Sequence, residues 1–180
     1  IFLAPLIGFI GATFFSIITL WIVKNQSPSK VDKYFRKLQL VSAAVYSLSH
    51  GSNDAQKTIG IITILLFTNG LLGSTFYVPF YVIIMSHAVI ALGTLLGGWK
   101  VIKTLGMRVT KLSPFGGFSA ETSAGLTIIG ATIFGIPVST THTITGSIIG
   151  VGSVKGFSAV RWGVARNILW AWVLTIPLSA

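Results

Sequence analysis

An all-α polytopic membrane protein is the fold class this sequence predicts, and three observations predict it. The first is composition. Of 180 residues, 52% are apolar and only 9% are charged, and the mean hydropathy is +0.84, whereas soluble domains carry about 25% charged residues. The second is the placement of charge. All of the thirteen basic residues except Lys57 fall in three short segments, 24–37, 100–111 and 155–166, and long apolar runs separate them. The third is that polar clusters at 50–60 and 137–143 interrupt two of those runs. About four transmembrane helices plus a re-entrant helical hairpin are expected.

Ile1–Val23 contains no charge and is long enough to cross a bilayer at roughly 1.5 Å of rise per residue. It lacks the basic n-region of a signal peptide, so a membrane helix is expected. Lys24 to Lys37 is expected to be a basic cytoplasmic loop, opened by Asn-Gln-Ser-Pro-Ser, so that 1–37 is a linking helix and its loop. The second span covers about 38–67. Gly51 and Gly60 bracket Ser52, Asn53, Asp54, Gln56 and Lys57 at its middle. That pattern predicts a helix broken or loosened there, with freed backbone groups available for binding. A turn rich in Gly and Asn follows at 68–75, then a third span at 76–99, then a basic loop. Residues 118–154 form two short arms around Pro137, each marginal for a full crossing and suited to a re-entrant hairpin. A last span covers 162–180. With Ile1 outside, all three basic segments fall on one side, the cytoplasmic side of a positive-inside topology. Small-xxx-small pairs at Gly93/Gly97, Ala131/Gly135 and Gly146/Gly150 are expected to serve ordinary helix packing. The chain opens without methionine and stops inside an apolar run, so it is expected to be part of something longer.

The net charge of +10 does not point to nucleic acid, because no basic face is interleaved with aromatics for base stacking. The absence of cysteine excludes disulfides and thiolate metal sites and fits an inner-membrane protein. Only three acids exist, Asp32, Asp54 and Glu121. Asp54 and Lys57 fall near mid-membrane, where an unpaired charge costs about 2.5 kcal/mol or more, so they should face a cavity, a partner or a substrate. Ser139, Thr140 and Thr141 precede His142 just after Pro137. If Pro137 starts a helix, its free N–H groups and these hydroxyls converge on one point suited to an oxyanion. Glu121 lies near the start of the first hairpin arm and is a candidate for a coupling ion or a proton. No metal site is expected, since His50, His87 and His142 lack ligand spacing; His87 is expected to pack or to bond to another helix. A hydrolase is excluded: hydroxyls directly before a histidine point away from it on a helix, and no G-x-S-x-G elbow exists. A passive anion channel would need no buried carboxylates, so flux surviving loss of Asp54 and Glu121 would mark one.

Ser-His-Gly-Ser-Asn-Asp at 49–54, Gly-Phe-Ser-Ala-Glu at 117–121, Gly-Ile-Pro-Val-Ser-Thr-Thr-His at 135–142 and Arg-Asn-Ile-Leu-Trp-Ala-Trp at 166–172 together resemble the inorganic phosphate transporter (PiT) family. The match is to its C-terminal half, in a bacterial form. The resemblance implies one of two inverted repeats of a secondary transporter, with 38–180 as the C-terminal repeat and the N-terminal repeat of the same protein missing. It implies ion-coupled transport of inorganic phosphate through the bilayer, with sulfate or another oxyanion as the alternative cargo. By implication Asn53, Asp54, Ser139, Thr140 and Thr141 bind the substrate. Asp54, Lys57 and Glu121 handle the coupling ion, H+ or Na+, with sodium at Asp54 and Glu121, while His50, Gln56 and His142 support the site. No cofactor is implied, and a homodimer is compatible with the family. Lys57 departs from the family's better-known Asn-Asp-x-x-Asn-Ala motif, where an asparagine stands; it could pair with Asp54 or replace the charge of a sodium ion.

Overall fold

A computed structural model describes residues 2–179; the outermost residues of the first and last expected spans, Ile1 and Ala180, lie outside them. Among residues 2–179 six α-helices follow one another: α1 Leu3–Val23, α2 Pro28–Thr68, α3 Phe80–Lys103, α4 Pro114–Ile133, α5 Thr140–Lys155 and α6 Trp162–Ser179. A π-helical turn, Thr104–Val109, extends α3. Among the described residues no strand occurs. Two helical stretches among the described residues are long and apolar enough to cross a membrane, Leu3–Val23 and Phe80–Val109. The exterior is correspondingly apolar, with Leu95, Leu96 and Trp99 among many large side chains left exposed.

The expected break in the second span is absent. α2 runs without interruption through the polar stretch, and it starts at Pro28, so most of the expected basic loop is its first turns. Proline at the head of a helix loses no bond, because that N–H has no intrahelical partner. Gly51 and Gly60 both stay helical, since positive φ is confined to Gly70, Gly73, Gly135 and Gly156 among the described residues. The polar side chains are satisfied within the helix or across it. His50 pairs with Asp54 and Lys57 bonds Asn53, each one turn apart, while Ser49 and Thr63 donate to the carbonyls four residues back. Polar content therefore marks a face of this helix rather than a break in it.

The ends of α2 and α4 follow one rule. Gly70 and Gly135 adopt left-handed φ of 72° and 67°, and Leu71 N–H donates to Leu66 O as Ile136 N–H donates to Ala131 O. Both are Schellman closures, in which glycine takes the conformation that a Cβ would resist. Gly135 is thus a terminator, and nothing packs against it. Pro137 lies in the connection rather than starting a helix, and α5 begins at Thr140 with Ser139 as its cap.

Ser42 bonds Glu121 and Asn53 bonds Thr132, two contacts that each join residues 79 apart in sequence. A constant offset means that α2 and α4 run parallel and in register. It also sets Ile133 level with Asp54, so the hairpin turns back beside the middle of α2, roughly 21 Å before α2 ends at Thr68. At the hairpin base, Phe35 meets Phe115 and Phe118 edge-on at 5.2 and 5.3 Å, and Phe15 reaches Phe118 at 5.8 Å. The core between the helices is built from alanines and β-branched residues, among them Ala12, Ala120, Ala124, Ile148 and Val151. The three basic segments share one end. Lys155 donates to Lys111 O, Thr110 to Ala159 O and Arg161 N–H to Val109 O, while Lys24 and Asp32 lie beside Ser113 and Phe115.

α1 packs against α5 along Gly146 and Gly150, which face the backbone of Pro5 and Phe9. Ser147 Oγ donates to Gly8 O at 3.1 Å inside this seam. Of the small-residue pairs, this is the one that seats a helix; Gly93 and Gly97 meet nothing. Gly146→Ala would drive a Cβ into the Pro5 backbone, which has no flexible end to yield. We expect a loss of about 1–3 kcal/mol, seen as a lower melting temperature of the purified protein, with Gly97→Ala neutral.

Candidate functional site

A cleft of about 400 Å³ opens between the middle of α2 and the hairpin tip, lined by Asp54, Lys57 and the run Pro137 to His142. Two chain segments that the sequence separates by some eighty residues therefore meet at one place. Asp54 is the hub. Its Oδ2 lies 2.9 Å from His50 Nε2, and Thr140 Oγ1 donates to both carboxylate oxygens at 3.2 and 3.3 Å. The Asp54 contact thus draws the first residue of α5 onto α2.

Asn53 is buried on the same helix and is held from α4: its Nδ2 donates to Thr132 Oγ1 at 3.2 Å. Thr132 spends its own proton on Ile128 O, so it can only accept here, and the amide oxygen of Asn53 is turned the other way. Lys57 Nζ meets that oxygen at 3.4 Å and Val138 O at 3.3 Å. Among the described residues the ion pairs are Asp32–Arg36 and His50–Asp54. Lys57 therefore does not close on Asp54, the first of its two expected roles; it bridges α2 to the hairpin connection through oxygens instead.

Ser139 caps α5, its Oγ accepting from His142 N–H. Thr143 N–H goes to Ser139 O. Helix geometry leaves the N–H groups of Thr140 and Thr141 without intrahelical partners, at the positive end of the α5 dipole. Both threonines line the cleft, Thr140 buried and Thr141 exposed. Hydroxyls, amide protons and an ammonium converge there, and such a set can bind an oxyanion. The His142 ring lies 3.9 Å from that of Trp172 on α6.

Other expectations are placed elsewhere. Gln56 is exposed and does not line the cleft. Glu121 lies on the third turn of α4, not at its cap, which is Ser113. It accepts from Ser42 Oγ at 2.6 Å, at a level roughly 18 Å along α2 from Asp54. The two carboxylates cannot share a sodium ion over that distance, and among the described residues no cluster of three His, Asp or Glu exists. His87 is exposed and bonds Ile83 O of its own helix rather than another one. Thr132 and Ser42 were not singled out from sequence, and Trp172 entered only as the last residue of the 166–172 motif. Thr132 carries no motif of its own, and only the parallel register of α2 and α4 reveals it.

An all-helical body with an apolar exterior, whose charged cleft joins a long helix to a hairpin tip, is the architecture of a membrane transport domain. The chain belongs to the phosphate transporter family, whose sequence model matches residues 22–180; this is a family of transporters, not of enzymes. The chain is 57% identical over 180 residues to a probable low-affinity inorganic phosphate transporter of Rhizobium meliloti (strain 1021), covering 100% of this chain and 54% of that protein. It is 44% identical over 179 residues to a protein of the same description from Bacillus subtilis (strain 168), covering 99% of this chain and 54% of that protein. The fold is similar to a solved sodium-dependent phosphate transporter, with a TM-score of 0.70, 27% identity, and coverage of 97% of this chain and 52% of that one. The chain spans about half the length of the relatives it matches.

Proposed function

We propose that this chain is the C-terminal half of an ion-coupled secondary transporter that carries inorganic phosphate across the cell membrane. Four helices, α1, α2, α3 and α6, cross the bilayer, and α4–α5 forms a re-entrant hairpin. The observation that carries the reading is the cleft itself: an anion-facing helix start, with its hydroxyls, held by Asp54 against a second helix. Phosphate accepts from the Thr140 and Thr141 N–H groups and from Lys57, while the Thr140 hydroxyl keeps its single proton on Asp54. As the monohydrogen form it also donates a proton to a carboxylate, which sulfate cannot do. The relatives' names support the cargo. The other half of the full-length protein would complete the site, as paired repeats do in secondary transporters.

The hairpin is the moving part. Aromatic contacts pin its base, whereas its tip is tied by hydrogen bonds that cargo can exchange. Radiolabelled phosphate uptake by the full-length protein in proteoliposomes, under sodium and proton gradients imposed separately, tests the proposal. Uptake driven by either gradient and resistant to excess sulfate is expected. Accumulation of sulfate in place of phosphate would overturn the cargo.

Thr140→Val removes the hydroxyl on Asp54 at nearly constant volume. We expect the apparent affinity for phosphate to weaken by roughly tenfold, the scale of one hydrogen bond to a charged group. Saturation curves of uptake check this, and Thr141→Val should change them less, because Thr141 Oγ1 has no role in tying the tip.

A further inference from the structure

Lys57 is the one basic side chain away from the basic end of the molecule, and its surroundings are unusual for a lysine. Its two hydrogen-bond acceptors are neutral oxygens, the Asn53 amide and the Val138 carbonyl. Val138 belongs to the non-helical connection between α4 and α5, where carbonyls are not consumed by a helix ladder. The Asn53 oxygen is aimed at Lys57 because Thr132 holds the other end of that amide. The carboxylate of Asp54 lines the same cleft without forming an ion pair with Lys57. Carbonyl and amide oxygens beside a carboxylate are the donor set of a hard cation. The ammonium, a compact and strongly hydrated point charge, fills it.

We infer that Lys57 is a tethered cation: its ammonium occupies an oxygen-lined position that a free alkali cation would otherwise take beside Asp54. This rests on the phosphate reading of the cleft. The positive charge facing the anion is then permanent, and binding at this half of the site needs no dissociable cation. Residue 57 decides whether this position is open to sodium. Removing the ammonium while keeping Asn53, Asp54 and the Val138 carbonyl would leave an unfilled set of oxygens and create a sodium requirement.

The test uses the full-length protein as wild type, Lys57→Ala, Lys57→Asn and Lys57→Arg. In proteoliposomes, phosphate uptake under a proton gradient is compared in choline chloride and in sodium chloride at equal ionic strength. Replacing choline by sodium should raise uptake by the Ala and Asn variants about tenfold more than it raises wild-type uptake, with Lys57→Arg showing wild type's response to the change of salt whatever its absolute rate. In detergent without phosphate, sodium should raise the melting temperature of the Ala and Asn variants more than that of wild type, as a ligand that binds only the folded state must. Folded Ala and Asn variants that lose uptake equally in both salts, with a sodium effect on melting no larger than wild type's, would overturn the inference. If wild type transports no phosphate under any gradient, the cargo reading fails instead, and the melting comparison alone decides the role of Lys57.

Discussion

Asp54→Asn is expected to abolish phosphate uptake by the full-length transporter while leaving it folded. The carboxylate accepts the Thr140 hydroxyl on both oxygens and pairs with His50. It also supplies the negative charge at a cleft where Lys57 sits free of any ion pair. Asparagine preserves the shape, so α2 and the hairpin should still pack. It carries no charge, so neither His50 nor Thr140 keeps its charge-assisted bond, and an NH2 group stands where one carboxylate oxygen stood. Losing two bonds to a charged group, at about 1.5–3 kcal/mol each, corresponds to a fall of about 100-fold or more. Initial rates of uptake in proteoliposomes measure it, and a melting curve separates it from misfolding. Asp54→Glu keeps the charge but moves it by one methylene, and should retain a residual rate. Wild-type uptake in Asp54→Asn would remove the carboxylate from the mechanism and leave the helix start as the whole site.

The elements of this fold were legible in proportion to how strongly local chemistry dictates them. Helix ends are one case: the Asn69-Gly70 pair ends α2 through a left-handed glycine, and Gly135 before Pro137 does the same for α4. These are backbone effects, and sequence carries them directly. The middle of α2 misled for the opposite reason. Two glycines and a run of polar residues resemble a break, but neither glycine needs to leave the helical region, and one-turn spacing lets His50, Asp54, Asn53 and Lys57 satisfy each other on one face. Which of the two outcomes occurs depends on what stands opposite. Here it is Thr132 and Thr140, on elements some eighty residues away.

The site followed the same division. Asp54, Asn53, Lys57 and the Ser139 to His142 run were recoverable because charge and hydroxyls are scarce in an apolar chain, and the fold brings all but Asn53 to line one cleft, with Asn53 beside it. Grouping Glu121 with Asp54 was not recoverable. Both are acids inside apolar sequence, yet the parallel register of α2 and α4 sets them at different depths. No pattern of residue types encodes that register; it follows from packing along the whole helix pair.

That separation gives Glu121→Gln an outcome unlike Asp54→Asn: driven accumulation of phosphate should be lost, while exchange of phosphate for phosphate should persist. Glu121 does not line the cleft, so its charge has no contact with cargo there. Glutamine can still accept from Ser42 through its amide oxygen, so the α2–α4 contact at 2.6 Å survives in kind. What the substitution removes is a carboxylate, half-buried between two helices, which the proposed mechanism assigns to the coupling ion. On the proposed mechanism, exchange needs the hairpin to move with cargo bound, whereas accumulation also needs the empty transporter to return with its coupling ion handled. Accumulation under an imposed gradient is expected to fall by at least roughly tenfold, with exchange within about twofold of wild type. Ser42→Ala, which leaves the charge and deletes only the hydroxyl, should lower both by a similar small factor, because it loosens the packing rather than the coupling. Equal loss of exchange and accumulation in a folded Glu121→Gln protein would place Glu121 in hairpin movement itself, and the coupling step would then belong to Asp54 or to the other half of the transporter.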